Sequence, residues 1–116
     1  MTKNIYLGKS RLEVERNEDL GIHLETDVWD RFYSKIKSKK KKVPFIWKIF
    51  IHYYGAEGNF LIKSKDIGKL RDETSGLINE YKFNSNEKDI IEFFKNLLSY
   101  CDIAIKNKSN MYGIAD

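Results

Sequence analysis

Two histidines, His23 and His52, and one cysteine, Cys101, are the residues through which this chain could run nucleophilic or metal chemistry. A thiolate beside an imidazole would serve acyl transfer, and a set of three or four His, Cys, Asp or Glu ligands would hold a metal. No HxxxH, CxxC or HxxE spacing is present. Each histidine falls on an expected strand and reads as a structural or surface imidazole. Cys101 falls on the apolar stripe of an expected helix and reads as a buried, inert thiol. The Gly55-x-x-Gly58 pair lacks the strand, Gly-rich loop, helix and Lys-Ser/Thr context of a phosphate loop, so it reads as a turn. Asp72-Glu73 and Glu87-Asp89 read as solvated helix-face or first-turn carboxylates. No catalytic residue, metal or cofactor is therefore assigned, and the chain is expected not to be an enzyme.

The remaining signal is electrostatic. Residues 31–48 hold Arg31, Lys35, Lys37, Lys39, Lys40, Lys41, Lys42 and Lys48 and no Asp or Glu. The whole chain is +4, with 21 basic and 17 acidic residues, so the other 98 residues carry 13 basic against 17 acidic and are net −4. An acidic domain with one basic patch attracts phosphates, anionic lipid or an acidic protein surface. Three readings follow: a solvated loop that aids solubility, a nucleic-acid contact, or a docking surface for an acidic partner. The run is nearly all Lys, and no RNP-like, KH-like or helix-turn-helix pattern accompanies it, which weighs against nucleic acid. Tyr53, Tyr54 and Tyr112 are the aromatics expected at the surface, where they would join Lys39–42 and Lys48 in contacting a partner.

The elements that must carry these residues follow from periodicity. Residues 5–7, 11–16 and 22–24 read as short strands, with Leu12 and Val14 alternating with charged neighbours. Thr26 stands at an N-cap position, and Val28, Trp29, Phe32, Tyr33 and Ile36 recur at helical spacing up to about Ser38. Residues 45–54 read as a largely buried strand with Trp47, Ile49, Ile51 and Tyr53 on one face, returning through residues 55–58 into a hairpin strand at 59–62. Helices are expected from Ile67 to Tyr81 and from about residue 87, capped by Ser85 or Asn86, through Ile90, Phe94, Leu97, Leu98, Cys101 and Ile105. The tail, residues 111–116, is apolar enough to pack back on the body. The expected fold is a single α+β domain with an antiparallel sheet of about five strands against three helices. With 41% apolar content, one Pro, one Cys and no secretory-type leader, the chain is expected to be globular and cytoplasmic.

The Trp47-Lys48-Ile49-Phe50-Ile51 segment, Leu61-Ile62, Asp66-Ile67-Gly68-Lys69-Leu70 and the closing Met111-Tyr112-Gly113-Ile114-Ala115-Asp116 resemble the small immunity proteins encoded beside bacterial polymorphic toxins. The resemblance spans most of the chain from Leu20 onward. It implies a single α+β domain without catalytic machinery that binds and neutralises a cognate toxin domain. Many such proteins are acidic because their toxins are basic nucleases. The basic patch departs from that habit, which weighs against a nuclease partner and leaves room for an acidic toxin domain.

Overall fold

A computed structural model describes residues 3–9, 22–24, 26–54, 60–82 and 87–115. Strands β1 (Lys3–Gly8) and β2 (Ile22–Leu24) precede helices α1 (Thr26–Ser38) and α2 (Pro44–Tyr54). Strand β3 (Phe60–Ile62), a 3-10 turn (Ser64–Asp66), α3 (Ile67–Tyr81), α4 (Lys88–Asn107) and β4 (Asn110–Ala115) complete the order. The sheet runs β2-β1-β4-β3, each neighbouring pair antiparallel. The tail expected merely to pack on the body is thus an inner strand.

Register sets which side chains meet the core. Ile5 lies opposite Gly113 and Leu7 opposite Met111, while Phe60 and Ile62 face Gly113 and Met111 from the other side. Strand side chains alternate, so these six residues share one face. Tyr6, Tyr112 and Leu61 line up across the other. Gly113 is required where it stands, because a Cβ there would lie 2.0 Å from the Phe60 ring.

The inner face joins one core with all four helices. Helix α1 contributes Val28, Phe32 and Ile36, spaced four apart, and α3 contributes Ile67, Leu70, Thr74 and Leu77. Thr74 is tolerated there because its hydroxyl donates to the Leu70 carbonyl at 2.7 Å. Helix α4 buries Ile90, Phe93, Phe94, Leu97, Cys101 and Ala104, and then stops at Lys108, which takes the left-handed conformation with φ 55°. Ser109 donates back to the Ala104 carbonyl at 2.9 Å, closing the turn that leads into β4. Ile105, expected on the buried stripe, is 47% exposed.

Residues 45–54 are helical, which overturns the strand expected there. Ile46, Ile49 and Phe50 are all fully buried, a three-four spacing, whereas Ile51 is 43% exposed. A strand would have placed Ile49 and Ile51 on the same face. An almost continuous apolar run satisfies both periods, so periodicity alone could not decide. Pro44 decides locally: at the first helical position its missing N–H falls where no intrahelical acceptor exists. As a result β3 pairs with β4 and makes no hairpin with residues 45–54. The strand expected around Leu12 and Val14, the 55–58 turn, and the Ser85 and Asn86 caps lie outside the described residues. The described residues form four α-helices and a four-stranded sheet, the fourth helix taking the place of the strand expected at residues 45–54; the α+β class stands. No described helix is long and apolar enough to cross a membrane.

Candidate functional site

The basic segment spans the end of α1, a turn and the start of α2. Ile36 and Val43 are buried on either side of the turn and anchor it, leaving its polar residues to project outward. Its backbone closes on itself: Lys39 donates to Ile36 at 3.0 Å, Lys40 to Lys37 at 3.3 Å, and Lys42 and Val43 to Lys39 at 2.8 and 3.1 Å. A cavity of about 420 Å³ opens here, lined by Lys37, Ser38, Lys39, Lys40, Lys41 and Lys42.

The eight basic residues divide into two groups. Arg31, Lys35 and Lys39, four apart in sequence, face the junction of α3 and α4. Arg31 Nη2 meets Asp89 Oδ2 at 2.8 Å, and Lys35 Nζ meets Glu87 Oε1 at 2.8 Å. Lys39 Nζ pairs with Glu80 and also donates to the Tyr81 hydroxyl at 3.1 Å. The cations also stack on rings, Lys35 Nζ 4.8 Å from the Phe32 centroid and Lys39 Nζ 4.8 Å from that of Tyr81. Phe32 and Tyr81 are themselves edge to face at 5.9 Å. Burial lowers the Lys39 ammonium, but the hydrogen bonds and charge of Glu80 and Tyr81 outweigh it and hold the group above its usual range.

Exposed pairs of this kind contribute roughly 0.2–1 kcal/mol each. The Lys35–Glu87 pair differs, because the Glu87 side chain is only 10% exposed and its Oε2 has no hydrogen-bond partner among the described residues. Glu87 and Asp89 are therefore not merely solvated first-turn carboxylates. They are the counter-ions of α1.

The second group is unneutralised. Lys37, Lys40, Lys41 and Lys42 are exposed, Lys48 is half-exposed, and none of the five makes an ion pair among the described residues. Four of these five line the cavity, and Lys48 does not.

Behind the turn, Glu73 of α3 reaches the first turn of α2. Its Oε1 accepts from the Phe45 and Ile46 amides at 3.0 Å each, and Oε2 lies 3.3 Å from the Phe45 amide. Val43 has no side chain able to cap the helix, so a carboxylate from another helix takes that role. This corrects the reading of Glu73 as a solvated helix-face residue. Burial of its charged form pushes the Glu73 carboxyl above the usual range, against the pull of the two backbone hydrogen bonds.

The other sequence candidates are dispersed. Tyr53 and Tyr54 belong to the last turn of α2, with side chains outside the described residues. Tyr112 is half-buried on β4, where its hydroxyl lies 3.4 Å from Asn110 Nδ2, and it does not line the lysine cavity. His23 is on β2 as expected, whereas His52 is on a helix. Cys101 is fully buried, and burial first, with the charge of Asp102 adding, pushes its thiol up to about 12. Among the described residues no three His, Cys, Asp or Glu side chains converge as metal ligands.

Sequence reasoning missed Glu73, Glu80, Tyr81, Glu87 and Asp89 as parts of this region. One signal was available: Arg31 and Lys35 share a helix face beside Phe32 and Ile36, so they could not all lie on the side away from the core. Neither a family model, nor a curated protein, nor a solved structure matches the chain.

Proposed function

We propose that this chain is a non-catalytic binding domain of the immunity-protein type, which neutralises a cognate bacterial toxin domain in the cytoplasm. The observation that carries the reading is the division of the basic segment. Arg31, Lys35 and Lys39 are spent on internal carboxylates, while Lys37, Lys40, Lys41 and Lys42 crowd one concavity with no counter-ion among the described residues. Holding like charges together costs free energy that an acidic partner would recover. Such a patch raises the association rate and rejects basic surfaces.

The same division weakens the nucleic-acid alternative. A nucleic-acid footprint wider than the turn would need Arg31 and Lys35, and both are occupied by carboxylates. What is left is compact, without the extended track of cations that a polynucleotide backbone engages.

Co-expression with the product of the neighbouring gene, which the proposal requires to be a toxin, tests it. Growth should be rescued and a stable complex should co-purify, with association slowed when Lys40, Lys41 and Lys42 are changed to Glu. Failure of both rescue and complex formation would remove it.

A further inference from the structure

We infer that the lysine cavity of the α1–α2 turn receives a short acidic peptide segment of the partner, carrying clustered carboxylates, and that ammonium groups alone bind it. This rests on the docking reading above and adds what the partner must present.

Phosphate sites in proteins draw on backbone amides gathered in a nest or at a helix N-terminus. Here those donors are already used. The amides of Lys39, Lys40, Lys42 and Val43 donate within the turn, and that of Trp47 donates to Val43. Pro44 has no N–H, and the Phe45 and Ile46 amides at the start of α2 donate to Glu73. From residue 39 to residue 47, Lys41 alone has an amide outside these bonds, and one N–H does not make a phosphate cradle. The chain thus carries its own anion at the one place where an external phosphate would gain most.

What remains is a set of flexible point charges without the forked donors of Arg. The cavity, about 420 Å³ and built from six consecutive residues, is the size of a small-ligand pocket. It admits a few side chains. The molecule also shows how such ammonium groups are satisfied: Lys39, which lines this cavity, is answered by Glu80, and Lys35 one turn earlier by Glu87. A partner segment rich in Asp and Glu extends that arrangement to Lys37, Lys40, Lys41 and Lys42.

The test titrates the full chain at low salt with three probes of matched charge: a fluorescent oligoglutamate peptide, inorganic tripolyphosphate and a single-stranded oligonucleotide. The peptide should bind, and a variant with Lys37, Lys40, Lys41 and Lys42 changed to Gln should bind it roughly tenfold more weakly or worse, the combined loss of four exposed ion pairs. Circular dichroism of the variant should match that of the parent. If tripolyphosphate or the oligonucleotide binds more tightly than the peptide, the peptide assignment falls while docking through the turn survives. If no probe binds, or if the Gln variant binds as the parent does, both fall.

Discussion

The Glu73 carboxylate accepts a hydrogen bond from the Ile46 amide at 3.0 Å, so a residue in the second turn of α3 caps the start of α2. Two helices that share one apolar core are thereby tied at a polar point, and the lysine turn between α1 and α2 is fixed at its far end. Loss of a helix N-cap costs about 0.5–2 kcal/mol. Glu73→Ala should destabilise the protein within that range in urea unfolding, and Glu73→Gln, which keeps an acceptor, should cost less. An Ala variant as stable as the parent would show that the cap contributes nothing.

The same carboxyl gives a pH dependence of definite sign. Its folded value lies above the ordinary 4.5 because burial disfavours the charged form. A raised carboxyl contributes stability that is fully present below the unfolded value and is lost as pH rises through the folded one. The stability of the parent relative to Glu73→Gln should therefore be greatest in acid, fall as pH rises past 4.5, and level off towards neutrality. Urea titrations across that range check it, and a difference that grows with pH would contradict it.

Gly113 lies beneath the Phe60 ring with no room for a methyl group. Gly113→Ala should cost about 1–3 kcal/mol by overpacking. Shortening the ring should relieve the clash, so the Phe60→Leu, Gly113→Ala double variant should lose less stability than the two single losses added, by about 0.5 kcal/mol or more. Strict additivity would refute the contact.

The two halves of the basic segment should respond differently to truncation. Lys35→Ala leaves Glu87 buried without its partner, a loss of roughly 1–3 kcal/mol. Lys40→Ala, Lys41→Ala and Lys42→Ala touch exposed, unpaired side chains and should each fall within about 0.5 kcal/mol of the parent. Thermal unfolding of the four variants separates the groups.

Cys101 is buried, with its thiol pushed up to about 12, so the thiolate is scarce near neutral pH. A disulfide exchange reagent at pH 8 should modify it only at the rate of unfolding, and at once in denaturant. Rapid reaction of the folded protein would mean that the thiol is accessible.

Elements with a wet face and a dry face were legible. Val28, Phe32 and Ile36, and likewise Ile90, Phe94, Leu97 and Cys101, repeat with the helical period because only one side of each helix is buried. Residues 45–54 resisted because nearly every position is apolar, and because the acceptor for the first α2 amides comes from Glu73, 27 residues beyond Ile46. The place of β4 was equally hidden, since pairing across most of the chain leaves no local trace in residues 110–115. The position of the basic turn was readable from the end of the α1 pattern and Pro44. Its division was not, because the carboxylates that neutralise Arg31, Lys35 and Lys39 lie 58, 52 and 41 residues away.

The sheet order has a consequence for synthesis. Strand β1 leaves the ribosome before both of its neighbours, β2 and β4, and β4 is made about 100 residues later, a wait of roughly 5–20 s at ordinary translation rates. Until then Ile5 and Leu7 have half a sheet to pack on, and β3 has no strand to pair with. The nascent chain thus holds its helices before its sheet can close, and during that interval its unpaired edges are open to chaperones and to other copies of itself.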